Sequence, residues 1–167
     1  MRAALRHPAA WWVLLVLGCL PWAWLLAQTL LDQLGPNPAE ALIRATGDWT
    51  LRSLCVVLAV TPLRTWLGWP ELLRFRRMLG LLVFGYASLH LLCYAWFDMG
   101  FDLADTLQDI IKRPFIWLGF SAFVILWALA ATSFNRAVRW LGGKRWQMLH
   151  RGVYGVAVLA VLHFWWM

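Results

Sequence analysis

The chain has 167 residues, of which 62% are hydrophobic and 14% are charged, against about 45–50% and about 25% in an average soluble domain. A soluble protein of this length cannot bury so much apolar surface, which excludes an ordinary soluble enzyme and predicts a single membrane-embedded helical bundle over residues 1–167. The net charge of +7 does not indicate nucleic-acid binding, because the basic residues lie in short connections between apolar segments, as topology signals do.

Five segments are apolar enough to cross a bilayer, which takes about 20 residues of helix. In chain order they are residues 9–31, 49–67, 78–97, 115–134 and 146–167. Pro21 and Pro62 lie inside the first two and predict kinks. The first segment begins like a signal peptide, but its apolar stretch is long and no small-residue cleavage site follows, so we interpret it as a span. The sequence predicts an all-α integral membrane protein with about five transmembrane helices.

The distribution of basic residues predicts the orientation of these spans. The N-terminus, residues 64–77 and residues 135–151 together carry 11 of the 15 lysines and arginines and one acid, Glu71. The other connections carry the remaining seven acids. The positive-inside rule therefore predicts a cytoplasmic N-terminus.

The predicted outer connection, residues 98–113, has its own pattern. Apolar residues alternate there with acids at near-helical spacing: Phe101, Leu103, Leu107, Ile110 and Ile111. This pattern predicts a short amphipathic helix that lies on the outer membrane surface. Docking of a partner is the alternative interpretation.

Three of the four histidines fall inside predicted spans. His90 lies deep in the third span, His150 near the inner end of the fifth and His163 near its outer end, whereas His7 precedes the first span. Ionisable residues in spans are costly and are functional candidates. No carboxylate in the spans suggests a proton relay, so we expect metal or haem ligation rather than hydrogen-bonded packing alone. The three cysteines form neither CxxC nor CxxCH, which gives no case for a disulfide framework, a zinc site or covalent haem.

Helical rise separates the three histidines into a pair and a single residue. His150 and His163 lie about 20 Å apart along one helix, so they cannot ligate the same iron. His90 follows Arg77 by 13 residues and His163 follows Arg151 by 12, so these two histidines reach similar depths in the membrane. We predict that His90 and His163 form a bis-imidazole haem site in the outer half of the membrane. His150 is left for a second haem, a flavin or a quinone.

Basic residues gather at the inner ends of the same two helices. They are Arg76, Arg77, Lys144, Arg145 and Arg151. They act either as topology signals alone or as contacts for haem propionates, a flavin phosphate or lipid phosphates.

Two stretches carry a resemblance to a known family. Residues 76–80 (RRMLG) followed by Leu89 and His90, and residues 145–151 (RWQMLHR) followed by His163, are similar to the ferric-reductase-like transmembrane superfamily. Within it, the sequence resembles the haem-binding subunits of periplasmic protein-methionine-sulfoxide reductase systems. The likeness covers most of the chain.

The resemblance implies a function. Such proteins are multi-pass proteins of the inner membrane of Gram-negative bacteria that bind b-type haem and are described as also using FMN. By position, His90, His150 and His163 match the family's haem histidines. The resemblance implies electrons from the quinone pool or a cytoplasmic flavin reductase, passed to the periplasmic molybdopterin enzyme MsrP, which repairs oxidised methionines. This chain would then be an electron-transfer subunit rather than the catalytic one.

The sequence also departs from the family pattern. Arg76 stands fourteen residues before His90, where a fourth histidine would be expected, so one haem is expected and a second is left open. The chain ends at Met167, where family members usually continue into a sixth span. Two alternatives are a ferric or other metal reductase core with the same haem, and a non-redox membrane protein such as a transporter. Against the transporter stands the absence of a midspan acid.

Overall fold

The computed structural model describes residues 2–167, and no strand occurs in that range. A 3₁₀-helix, Pro70–Phe75, precedes the fourth α-helix, and a π-helix, Tyr94–Asp98, follows it. The α-helices in this range are α1 (Arg2–Arg6), α2 (Pro8–Leu30), α3 (Pro38–Leu67), α4 (Arg76–Cys93), α5 (Leu103–Lys112), α6 (Pro114–Ala131), α7 (Asn135–Leu141), α8 (Gly143–His150) and α9 (Gly152–Trp166). The predicted all-α membrane bundle is confirmed.

Four helical segments within residues 2–167 are long and apolar enough to cross a membrane. They are Pro8–Leu30, Pro70–Phe97, Pro114–Ala131 and Gly143–Trp166. They correspond to the first, third, fourth and fifth predicted spans. The last one is divided at Arg151, which separates α8 from α9. The chain is a multi-pass membrane protein.

The second predicted span, residues 49–67, forms the later part of α3. This helix begins at Pro38, earlier than the hydropathy pattern indicates, because Asn37 caps it: the Asn37 side chain accepts a hydrogen bond from the Glu40 N–H and donates one to the Glu40 carboxylate. Charged residues in its first turns lower the mean hydropathy there, so hydropathy alone did not predict this part of the helix. It is not among the four spans that length and composition identify, so the count of five stays a prediction.

The chain divides into two compact units, Met1–Cys93 and Tyr94–Met167. In unit 1, α4 packs mainly against α3, and α2 contacts both helices. In unit 2, α9 packs against α6, and α5 also contacts α6. The single bundle predicted over residues 1–167 stays a prediction.

The N-terminus of unit 1 is fixed to the connection that precedes α4. Arg6 forms an ion pair with Glu71 at 2.6 Å, and the Arg74 guanidinium donates to the backbone carbonyls of Leu5 and Arg6 at 3.1 and 2.8 Å. The only acid of the predicted inner connections is thus paired with an arginine. These contacts agree with placing the N-terminus and residues 64–77 on one side of the membrane, while the identity of that side stays a prediction.

The connection between the second and third of the four spans contains the predicted amphipathic helix. It is α5, which is capped by Asp102, whose carboxylate accepts hydrogen bonds from the backbone N–H groups of Ala104 and Asp105. Ile110 is buried, whereas the apolar side chains of residues 103, 107 and 111 are exposed. The helix is confirmed, and its position on the outer membrane surface stays a prediction.

Candidate functional site

His90 is held by three residues of α3 within unit 1. Its Nδ1 lies 3.0 Å from the carbonyl oxygen of Ile43 and 3.3 Å from Oγ1 of Thr46, a residue with no exposed surface. The Thr46 hydroxyl donates to the Leu42 carbonyl at 2.7 Å, so towards His90 it accepts. A methyl group in place of the Gly47 hydrogen would lie 3.1 Å from Cε1 and 3.3 Å from Nδ1 of the imidazole. We call Ile43, Thr46 and Gly47 the His90 cradle.

His163 is held by α6 within unit 2 in a similar way. Its Nδ1 lies 2.6 Å from the carbonyl oxygen of Phe115, and the Phe115 ring stacks near the imidazole, with ring centroids 6.3 Å apart. A methyl group on Gly119 would lie 2.9 Å from both Cε1 and Nδ1. We call Phe115 and Gly119 the His163 cradle. In each cradle the glycine follows the carbonyl residue by four positions, which is one helical turn.

The carbonyl in each cradle assigns the tautomer of its histidine. A carbonyl oxygen only accepts hydrogen bonds, so Nδ1 of His90 and of His163 carries the proton and Nε2 carries the lone pair. A backbone carbonyl that accepts from one ring nitrogen is the usual support of a histidine that binds a metal through the other nitrogen. Both imidazoles therefore have the donor chemistry that haem iron requires.

His150 has a different setting in unit 2. Its Nε2 lies 3.2 Å from Oγ1 of Thr132, and the Trp146 ring stacks on the imidazole with centroids 4.0 Å apart. The Thr132 hydroxyl donates to the Ala128 carbonyl at 2.7 Å, so it accepts from His150. The proton of His150 is thereby assigned to Nε2, opposite to the other two histidines. Among the described residues no group of three or more His, Cys, Asp or Glu side chains is placed to hold a metal ion.

The predicted basic contacts lie at the starts of two spans. Arg77 is in the first turn of α4 in unit 1, whereas Arg145 lies in α8 and Arg151 between α8 and α9, in the same helical segment as His150. All three side chains are exposed. Their role in cofactor binding stays a prediction.

One ion pair, between Asp109 and Arg113, which lie outside the spans, fixes the end of α5. The Tyr94 hydroxyl donates to the Asp109 carboxylate at 2.6 Å, and Arg113 donates to both oxygens of the same carboxylate, from Nε at 2.6 Å and from Nη2. Burial alone would raise the pKa of Asp109, but the hydrogen bonds from Arg113 and Tyr94 outweigh it and hold this pKa below its ordinary value. The Asp109 carboxylate in turn raises the pKa of Arg113.

Sequence reasoning found the histidines but missed the residues that hold them. The partners of Nδ1 are backbone carbonyls, which any residue supplies, so Ile43 and Phe115 carry no side-chain signal. Gly47 and Gly119 do carry a weak one, because glycine inside a helix costs about 1 kcal/mol relative to alanine and calls for a local reason. Without knowing which helices pack together, that reason could not be assigned to a histidine.

Known proteins resemble this chain over nearly its full length. The family described as Ferric reductase like transmembrane component matches residues 46–161. The protein-methionine-sulfoxide reductase heme-binding subunit MsrQ of Polaromonas naphthalenivorans (strain CJ2) is 62% identical over 163 residues, which are 98% of this chain and 74% of the relative. The MsrQ of Herminiimonas arsenicoxydans is 56% identical over 93% of this chain and 71% of the relative.

A third relative, the MsrQ of Bordetella parapertussis, is 54% identical over 92% of this chain and 74% of the relative. No solved structure matches the chain. Because the family match spans more than half of the sequence and the relatives align over nearly all of it, this chain belongs to the ferric reductase like transmembrane family and, within it, to the MsrQ group.

Proposed function

We propose that this chain is the haem-binding subunit of a membrane electron-transfer system that serves a methionine-sulfoxide reductase. The names of its relatives support this proposal, and so do the four apolar spans and the histidines inside them. Haem b would supply a one-electron carrier inside a low-dielectric environment. The single observation that carries the proposal is that two histidines in the spans present the same tautomer, each fixed by a backbone carbonyl.

His90 and His163 are the proposed iron ligands. Their matched sequence depths support the pairing, and their assigned tautomers support Nε2 as the donor atom of each. The Nδ1–H to carbonyl hydrogen bond fixes the orientation of each ring and makes its Nε2 more basic, which would strengthen a bond to ferric iron. A backbone carbonyl thus both orients the imidazole and raises the basicity of its Nε2, and no carboxylate in the membrane is needed for either effect.

His150 has a second role in the proposal. Its Nε2–H is engaged by Thr132, so an iron bond through that nitrogen would first require loss of this hydrogen bond. We assign His150, with Arg77, Arg145 and Arg151, to contacts with anionic or aromatic parts of bound cofactors: haem propionates, the phosphate of FMN, or a quinone ring. Exposed guanidinium groups suit such anions because they form two parallel charge-assisted hydrogen bonds.

The resemblance supplies the rest of the proposal. In this proposal the chain lies in the bacterial inner membrane, and its electrons arrive from quinol or from a cytoplasmic flavin reductase. The proposed acceptor is the periplasmic molybdopterin enzyme MsrP. A ferric or other metal reductase core differs from this reading only in its acceptor.

An absorption spectrum tests the haem. The chain purified in detergent and reduced with dithionite should show b-type bands, and His90→Ala and His163→Ala should each lose them or convert them to a high-spin form. Added imidazole should restore the low-spin bands, because it enters the vacated position. His7→Asn is the matched control, since His7 precedes the first span and asparagine can also cap α2. A colourless chain contradicts haem binding, and unchanged bands in both alanine variants contradict the ligands.

A reduction assay tests the donor and the acceptor. The haem of the purified chain should be reduced either by quinol or by NADH with a flavin reductase, and reoxidised by a periplasmic molybdoenzyme that co-purifies with it. Reoxidation by ferric chelates and not by that enzyme would favour the metal reductase reading.

A further inference from the structure

We infer that Gly47 and Gly119 are positioning residues that set the place of the His90 and His163 imidazoles. The inference rests on the proposed function, because it assigns these glycines to the geometry of the iron ligands. It goes beyond ligand identity, since a glycine has no side-chain donor atom for iron. Each acts through the histidine that packs on it.

The first observation is the shared construction of the two cradles. On α3 a carbonyl at Ile43 and a glycine at Gly47 contact the same imidazole, and on α6 a carbonyl at Phe115 and a glycine at Gly119 do the same. A carbonyl and a glycine one turn apart lie on the same helix face. The carbonyl therefore fixes Nδ1 while the glycine lets the flat face or edge of the ring approach the helix backbone.

The second observation is how little space remains at each glycine. All three heavy atoms nearest to a methyl group on Gly119 belong to His163, at 2.9, 2.9 and 3.1 Å. At Gly47 they all belong to His90, at 3.1, 3.3 and 3.7 Å. An imidazole is rigid, so it can relieve such an overlap only by moving as a whole, and that movement lengthens its bond to the carbonyl.

Other glycines show that this crowding is not general. On the two helices that carry the histidines, a methyl group on Gly80 of α4 or on Gly155 of α9 would have no neighbouring atom within 4 Å. Gly85 of α4 is as crowded as Gly119, but its neighbour is Trp22, at 2.8 Å, and no histidine. Alanine at Gly80 or Gly155 therefore tests the substitution without crowding, and alanine at Gly85 tests crowding that displaces no histidine.

The experiment compares alanine variants of the haem-loaded chain. Changes to residues that support a metal ligand typically weaken metal binding or activity about 10–100-fold. We expect Gly119→Ala to reduce haem retention by a factor in that range and to lose the low-spin spectrum. Gly47→Ala should have a smaller effect of the same kind, because its methyl contacts are longer. Gly80→Ala and Gly155→Ala should stay within about twofold of the parent, and Gly85→Ala should lower the melting temperature without changing the spin state.

A double variant keeps the test decisive if Gly119→Ala folds poorly. In a His163→Ala background the overlap is gone, so adding Gly119→Ala should not lower the melting temperature of the chain any further. Additive losses in that background would overturn the inference, because Gly119 would then act apart from His163. So would Gly119→Ala with the parent's spectrum and haem affinity. A parent chain without haem would instead contradict the proposed function, so the two failures are distinguishable.

Discussion

Each of the two units holds a histidine against a backbone carbonyl and a glycine, but the packing around the two histidines differs. In unit 1 the helix that carries His90 contributes several buried side chains, among them Val83 and Tyr86, and packs against α3 and α2. In unit 2 the helix that carries His163 has Val156 as its buried residue, and much of its surface is exposed and apolar. In both units a carbonyl and a glycine on one neighbouring helix contact the imidazole, whatever the depth of the surrounding core.

The largest expected difference between the units concerns packing. Leu54 of α3 is 1% exposed, so Leu54→Ala leaves a cavity and should cost about 2–5 kcal/mol of unfolding free energy. Leu162 of α9 is 47% exposed, so Leu162→Ala should change it by no more than about 0.5 kcal/mol. Unfolding in increasing concentrations of SDS, followed by circular dichroism, measures both. Equal costs would show that α9 is as tightly packed as α3 and would remove the contrast.

A second prediction concerns the attachment of α5 within unit 2. Tyr94→Phe removes a hydrogen bond to a charged carboxylate from a buried residue and should cost about 1.5–3 kcal/mol locally. The readout is faster hydrogen exchange of the α5 amides. Tyr154→Phe is the control, because Tyr154 of α9 is 59% exposed. Unchanged exchange in Tyr94→Phe would mean that Arg113 alone holds α5 in place.

The same attachment should depend on pH. The pKa of Asp109 lies below its ordinary value of about 3.9, so the unfolded chain binds a proton more readily than the folded one. The stabilisation is therefore complete above about pH 5 and is lost as pH falls through the lowered pKa. The effect should be modest, because Arg113 is 44% exposed and solvent screens the pair. Hydrogen exchange of α5 from pH 6 to pH 3 measures it, and Asp109→Asn should abolish the dependence.

The sequence predicted the features of the fold that local composition determines, and it missed those that depend on a single capping residue or on which helices pack together. Apolar length predicted the four spans identified within residues 2–167, because a span depends on local composition. The amphipathic period of residues 98–113 likewise predicted α5. The early start of α3 was missed because a capping residue at Asn37 decides it and hydropathy does not. The cradles were missed because a carbonyl has no sequence signature and because helix pairing is a long-range property.

The cradles themselves differ at one position, and this gives the smallest predicted effect. Three residues after its carbonyl the His90 cradle has Thr46, whereas the corresponding position after Phe115 is Leu118. The Thr46 hydroxyl is a second acceptor for the Nδ1–H of His90 and adds electron density to that imidazole. Thr46→Val keeps the shape and removes this acceptor, so it should cost about 0.5–1.5 kcal/mol of stability and move the haem midpoint potential upward.

Thr46→Ser is the matched control for that change, because serine keeps the hydroxyl and loses only the methyl group. A redox titration of the three proteins in the same detergent compares their potentials. If the valine and serine variants shift the potential alike, the methyl packing of Thr46 matters and its hydroxyl does not. If the Thr46→Val variant has the same midpoint potential as the parent chain, the two cradles are functionally equal. The carbonyl and the glycine would then determine the properties of the ligand by themselves in both units.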